Sequence, residues 1–332
     1  MQSFHGQKHI GDNLFSFNEI VRLGVPVFLM ITGALLLNRE IKIGEFFKRR
    51  LNRLVYPFIF HLILHRILLY YIGTHHNPDL LWRVFSLPFR FNWYFWLIIG
   101  VYLLIPIINK FIQNADMKEL EYFICVILFG SLFYQIMLFL DLKHCVDMSF
   151  FIGPVAYVVL GYYLSVKDFN MDANKIITIA IIVFIATTII KMAGNTVLPF
   201  DMVHNFHVTK TEIIKSNLDL GTLQLLQAAS VFVIFKYLYQ STTGAYSRIR
   251  GFLESDIPHR FILSVSRASY GMYLTNNSFK NIFLVLTAGL TLTKIESVGL
   301  IILISVSIAL MSWILVLLIN RIPHFQKLSG YY

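Results

Sequence analysis

Charged residues and cysteines are both scarce in this sequence of 332 residues. Only 14% of the residues are charged, whereas 57% are hydrophobic. An average soluble domain carries about 25% charged residues, so this composition excludes a soluble enzyme and indicates an integral membrane protein. The chain has 2 cysteines, which are too few for a disulfide-stapled scaffold and support no inference about redox chemistry.

Acidic residues are the scarcer of the two charged classes, with 18 Asp and Glu against 28 Lys and Arg. The cations lie in short segments between apolar runs, and no basic domain exists outside those segments. This distribution is typical of loops that face an anionic membrane leaflet. We therefore expect membrane lipids as partners and no nucleic acid.

Long apolar segments recur along the whole chain. A hydropathy window of about 19 residues finds segments that can cross most of a ~30 Å hydrocarbon core. They lie near residues 21–38, 54–72, 93–109, 122–140, 149–165, 175–193, 220–239, 268–289 and 297–319. The sequence therefore predicts an all-α, polytopic transmembrane helix bundle with about nine visible spans. We expect a single membrane domain over residues 1–332.

The positions of lysine and arginine predict the orientation of the bundle. The first connection is rich in cations, and so is the seventh, which contains Arg248, Arg250, Arg260 and Arg267. Both are expected in the cytoplasm, and alternation along the chain places the C-terminus there too. An odd number of spans then puts the polar residues 1–20 outside, although no signal peptide precedes them. We therefore expect that one further helix precedes Met1.

Several motifs, in their order and spacing, resemble the acyltransferase 3 family of integral-membrane O-acyltransferases. They are RLGVPVFLMITGALLL at 22–37, the R-x-x-R of Arg50 and Arg53 followed by Tyr56 and Pro57, WYFWLIIGVYLLIPIINKF at 93–111, GYYL at 161–164 and SYGMYL at 269–274. The resemblance covers nearly the whole chain. It implies a bundle of about ten helices in the bacterial cytoplasmic (inner) membrane.

The resemblance also implies a function. The family uses cytoplasmic acetyl-CoA or a related thioester as co-substrate, with no bound cofactor. The acceptors are hydroxyls, usually of carbohydrates in surface polysaccharides or their lipid-linked glycolipid precursors. The implied enzyme is an O-acetyltransferase, one of the acyltransferases that transfer groups other than amino-acyl groups.

The sequence departs from the family pattern in two places. The match begins at the family's second helix, so the first helix, which carries an arginine and the histidine regarded as the catalytic base, is absent. Asn276 occupies a position where relatives often have histidine. We therefore expect an N-terminally incomplete domain, and an inactive truncated family member is one alternative function. A non-enzymatic transporter or flippase of glycolipids or polysaccharides is another, although the sequence has no internal repeat of the transporter kind.

Arg50 and Arg53 are the predicted acyl-CoA-binding residues. They lie one turn apart on a helix and therefore share a face. Paired guanidinium groups present forked donors that match phosphate oxygens, and coenzyme A is multiply phosphorylated. The alternative is that both arginines follow the positive-inside rule or bind lipid phosphate.

His61, His65 and Arg66 lie inside the second predicted span, where ionisable groups normally face a protein interior or a watery cavity. The two histidines share a helix face and are the candidates for a catalytic base that deprotonates the acceptor hydroxyl. Their alternative role is structural, through hydrogen bonds to neighbouring helices. No third ligand is visible beside them, so we predict no metal site.

The remaining candidates are residues of an acceptor cavity: Arg22, Arg66, Tyr270, Tyr273 and Asn276. The tyrosines and Asn276 could donate hydrogen bonds to a developing oxyanion, although such residues in spans more often make helix contacts. Trp93, Tyr94 and Trp96 begin a span and are better explained by an interfacial aromatic belt than by sugar stacking.

Overall fold

The computed structural model describes residues 23–71, 93–139, 153–197, 221–242, 244–287 and 294–332. All regular secondary structure within these ranges is helical. The helices are α1 (Gly24–Leu36), α2 (Ile43–Tyr71), α3 (Trp93–Asn114), α4 (Met117–Phe139), α5 (Pro154–Val166), α6 (Ala173–Val197), α7 (Thr222–Leu238), α8 (Gly244–Glu254), α9 (Asp256–Leu286), α10 (Lys294–Arg321) and α11 (Gln326–Ser329). The predicted all-α class is therefore confirmed for the described chain.

Each predicted apolar segment overlaps one of these helices, and three stretches of the described chain are both long and apolar enough to cross a membrane. They are Trp93–Asn114, Ala173–Lys191 and Val298–Arg321. Helices α1, α5 and α7 are apolar but shorter. The described chain therefore has the helices of an integral membrane protein, and the count of about nine spans stays a prediction.

Two helices begin well before the apolar segments that predicted them. Helix α2 starts at Ile43 and continues through the basic run KRRLNR, and α9 starts at Asp256 after its N-cap Ser255. A hydropathy window detects only apolar residues, whereas lysine, arginine and leucine are all good helix formers. The polar connection near 240–267 is consequently occupied by α8 and the first turns of α9.

The described residues of 41–102 and 253–332 form one compact unit. Helix α9 packs along α10 and against α2, and the short α11 packs against α2 and α10. Helix α2 buries Leu54, Pro57, Phe58 and His61, which recur at helical spacing on one side. The ring of Phe58 stacks on that of Phe95 in α3, with centroids 3.7 Å apart.

In this unit a C-terminal segment, defined here as residues 326–332, lies directly against the backbone of α9. An ideal Cβ on Gly271 would lie 2.4 Å from the carbonyl oxygen of Ser329. The Gly271 N–H donates to the carbonyl of Gly330 over 3.3 Å. Gly330 has a φ of +75°, a left-handed conformation that allows the chain to turn after α11. Glycine at both positions therefore permits this approach.

The described residues of 16–40 and 103–252 form a second compact unit. Helix α1 packs against α5, α6 packs against α7, and α7 also contacts α1, α4 and α5. An ideal Cβ on Gly33 would lie 1.8 Å from the carbonyl oxygen of Val158, and one on Gly161 would lie 2.1 Å from that of Met30. The two glycines therefore let the backbones of α1 and α5 touch, as small residues do between membrane helices.

Candidate functional site

Two cations in the basic run of α2 face tyrosine rings of the first unit. The guanidinium carbon of Arg50 lies 6.0 Å from the ring centroid of Tyr102 in α3. That of Arg53 lies 5.4 Å from the ring centroid of Tyr332. Their neighbours Lys48 and Arg49 are exposed, and Arg49 forms an i, i+4 pair with Glu45 at 3.9 Å. Arg50 and Arg53 therefore each contact a tyrosine ring, whereas Arg49 pairs with a carboxylate of its own helix.

The two tyrosine contacts leave the arginines able to bind an anion. Arg50 also hydrogen-bonds the Tyr102 hydroxyl, but a guanidinium has five N–H donors, so donors of both arginines stay available beside the rings. In the described part of the chain, neither Arg50 nor Arg53 forms an ion pair with a carboxylate. Two forks one helical turn apart are suited to a phosphorylated ligand.

His61 lies further along the same side of α2 and is buried, with 3% of its surface exposed. Its Nε2 lies 3.3 Å from the carbonyl oxygen of Ser329. Because a carbonyl only accepts hydrogen bonds, Nε2 must carry the proton in this contact, and Nδ1 of the neutral ring is then an acceptor. Nδ1 has no hydrogen-bond partner among the described residues. Nδ1 of His61 is therefore available, inside the first unit, to accept a proton.

His65 is engaged differently, one turn further along α2. Its Nδ1 lies 2.8 Å from the hydroxyl oxygen of Ser278 in α9. This contact joins two packed helices, as expected for a structural histidine. Arg66, the adjacent cavity candidate, is half-buried.

The predicted residues of α9 differ in their surroundings. Tyr270 donates its hydroxyl to the carbonyl of Leu54 over 2.8 Å, which makes it a helix contact between α9 and α2. The ring of Tyr273 lies edge-on to that of Tyr94, with centroids 5.3 Å apart. Its buried hydroxyl lies beside the first N–H groups of α3 without reaching hydrogen-bonding geometry. Asn276 is exposed.

The first unit thus contains most of the predicted site residues, and Arg22 lies outside the described residues. A family model described as an acyltransferase domain, that of the acyltransferase 3 family, matches residues 1–318. The chain belongs to the acyltransferase 3 family. Searches of curated proteins and of solved structures give no match. Family membership and the apolar helices together make this protein an integral-membrane acyltransferase.

The sequence analysis missed Tyr102 and Tyr332 of this acyltransferase. Tyr102 lies inside an apolar run, where an aromatic residue usually means core packing or lipid contact. Tyr332 lies beyond the last predicted span and beyond the residues that match the family model. No sequence signal connects either tyrosine with the R-x-x-R motif.

The acyltransferase also contains a buried polar cluster in its second unit that the sequence could have indicated. Lys191 in α6 is 5% exposed and donates to the side-chain oxygens of Gln224 and Gln227 in α7, which are both fully buried. Gln227 in turn donates to the Thr188 hydroxyl over 2.6 Å. A lysine within an apolar span is costly unless it is satisfied internally, so its position alone was a signal.

Proposed function

We propose that this acyltransferase transfers an acetyl or similar acyl group from cytoplasmic acetyl-CoA to a carbohydrate hydroxyl of a surface polysaccharide or lipid-linked precursor. The observation that carries the proposal is the pair Arg50 and Arg53. Each guanidinium faces a tyrosine ring, and within the described chain neither is neutralised by a carboxylate. Coenzyme A presents several phosphate groups, which two adjacent guanidinium forks can bind together.

The neighbouring cations support this proposal over a purely topological role. A cation that only obeys the positive-inside rule needs to lie near the anionic leaflet and needs no defined protein partner. Lys48 fits that description, and the exposed Arg49 only pairs with Glu45 on its own helix. Arg50 and Arg53 instead lie against Tyr102 and Tyr332, which is the arrangement expected of residues that hold a ligand in one orientation.

The proposed path of the donor follows α2. At a rise of ~1.5 Å per residue, His61 lies about 12 Å along the helix from Arg53. Phosphates bound at the arginines would let the extended pantetheine arm carry the thioester toward His61. Because Nδ1 of His61 is the unengaged acceptor, His61 is the better candidate base of the two histidines.

The proposed reaction is acyl transfer by direct attack. The acceptor oxygen attacks the thioester carbonyl as His61 takes the hydroxyl proton, and the carbon–sulfur bond then breaks. The proton passes from the imidazole to the departing thiolate, which leaves as coenzyme A. Tyr273 is the candidate donor to the intermediate oxyanion, since the Tyr270 hydroxyl already donates to Leu54.

A turnover assay tests this proposal against the transporter alternative. Purified protein in lipid nanodiscs would be given acetyl-CoA and a mixture of membrane carbohydrate acceptors, and free thiol would be measured. We expect acceptor-dependent thiol release that is lost in His61→Asn and retained in His65→Asn. Movement of glycolipid across vesicles without thiol release would support a flippase instead. Equal activity of His61→Asn and wild type would exclude His61 as the base.

A further inference from the structure

The proline of the arginine motif leaves one backbone carbonyl of α2 without its helical partner. The carbonyl of Arg53 would normally accept a hydrogen bond from the N–H of residue 57, but residue 57 is Pro57, which has no N–H. The hydroxyl of Tyr332 donates to this carbonyl over 2.6 Å. A residue of the C-terminal segment therefore replaces the hydrogen bond that the proline removes.

The same tyrosine touches the arginine a second time. Its ring lies under the guanidinium group of Arg53, at 5.4 Å. Its own N–H donates to the carbonyl of Arg267 in α9 over 2.9 Å. A phenol is protonated at neutral pH, so the hydroxyl can donate, and partial burial raises its pKa further, to about 12. Tyr332 is thus fixed on α9 and holds both the main chain and the side chain of Arg53.

The rest of the C-terminal segment is built to keep Tyr332 in place. Ser329 is fully buried, its hydroxyl donates to the Gln326 carbonyl over 2.8 Å, and it accepts from the Tyr331 N–H over 3.1 Å. Its carbonyl is the group that contacts Nε2 of His61. One short segment therefore contacts both the proposed phosphate-binding arginine and the proposed base.

From these contacts we infer that the C-terminal segment is a positioning element of the donor site, in which Tyr332 orients Arg53 for the phosphates of acyl-CoA. The inference rests on the proposed function, because it assigns Tyr332 a role only through Arg53. Tyr332 is a positioning residue and not a catalytic one. The ring sets the direction of the guanidinium fork. The hydroxyl fixes the position of the Arg53 carbonyl, which has lost its helical partner at Pro57.

The test compares two ligands that differ in their phosphates. Dissociation constants for acetyl-CoA and for acetyl-pantetheine, which has no phosphate, would be measured with the full chain in nanodiscs. Tyr332→Leu should weaken acetyl-CoA binding about fivefold, the size expected for loss of a cation–π contact, and leave acetyl-pantetheine binding unchanged. Tyr332→Phe keeps the ring and should restore most of the affinity. Tyr122→Leu, at an exposed tyrosine of α4 in the second unit, is the matched control and should bind both ligands as wild type does.

A double-mutant cycle separates this inference from the proposed function. In an Arg53→Ala background, Tyr332→Leu should cause no further loss of acetyl-CoA affinity, because Tyr332 acts through Arg53. If Arg53→Ala weakens binding and Tyr332→Leu does not, the positioning role is wrong and the donor site stands. If Tyr332→Leu weakens both ligands equally, the segment is merely structural. If Arg53→Ala binds acetyl-CoA as wild type does, the proposed donor site itself is wrong.

Discussion

Replacing Gly271 by alanine should destabilise the protein, because the C-terminal segment leaves no room for a Cβ atom. The new atom would lie 2.4 Å from the Ser329 carbonyl oxygen and 2.6 Å from a methyl group of Val316. Ordinary contacts begin near 3.4 Å. The Ser329 carbonyl would therefore have to retreat by about 1 Å from its place against α9.

The expected loss of folding stability in Gly271→Ala follows from two opposing effects. Overpacking of this kind costs about 1–3 kcal/mol. The better helix propensity of alanine offsets about 1 kcal/mol of that cost. We expect a net loss of about 0–2 kcal/mol, toward the upper end of this range because the clashing atom belongs to the backbone. A displaced Ser329 should also weaken acetyl-CoA binding, since Tyr332 follows it in the segment.

Gly100→Ala is the matched control for this prediction. Gly100 also lies inside a helix, α3, but no atom lies within 4 Å of its ideal Cβ position. Thermal unfolding of both variants in detergent, followed by tryptophan fluorescence, would measure the difference. Gly100→Ala should unfold at or above the wild-type temperature and Gly271→Ala clearly below it. Equal unfolding temperatures for the two variants would refute the close packing of the C-terminal segment on α9.

Three further predictions concern the second unit. Gly161→Ala should lower the unfolding temperature more than Gly100→Ala, because its Cβ would lie 2.1 Å from the Met30 carbonyl oxygen; no difference between them would contradict the contact of α1 with α5. The hydrogen bond from Lys167 lowers the pKa of Glu121 below its ordinary 4.5, so the pair stabilises the fold above that pH. Glu121→Gln should therefore unfold slightly earlier than wild type at pH 7, and the gap should close as the pH falls below 4.5; a gap that persists there would exclude the ion pair as its cause. Lys191→Met should cost about 1–3 kcal/mol in thermal unfolding, because two buried glutamine oxygens lose a charged donor, and a variant as stable as wild type would show that the cluster contributes nothing.

The helices were predictable from sequence where their physical cause is local. Apolar runs long enough to span a bilayer can satisfy their backbone groups only as helices, so every predicted segment overlaps one. The early starts of α2 at Ile43 and α9 at Asp256 were not predicted, because hydropathy does not register helix propensity in a basic run. Gly33 and Gly161 were visible as motif letters, but their role depends on which helices cross.

The site was predictable only in part, because some of its contacts join residues that are far apart in the sequence. The shared face of Arg50 and Arg53 follows from their spacing on one helix. The burial of His61 follows from its helical spacing with the apolar residues Leu54 and Phe58. The contact of Tyr332 with Arg53, in contrast, joins residues that are 279 positions apart, and no local pattern encodes it. Asn276, chosen from its position in a motif, is exposed on α9.

The most direct test of the account is the affinity of acetyl-CoA for four single variants, three in the basic run and one, Lys42, just before α2. Arg50→Ala and Arg53→Ala each remove a charged donor to phosphate, and each should weaken binding about tenfold or more. Arg49→Ala removes an exposed cation of that run, Lys42→Ala removes an exposed cation just before α2, and both should change binding little. Equal binding by all four variants, or equal weakening in all four, would contradict a donor site at Arg50 and Arg53.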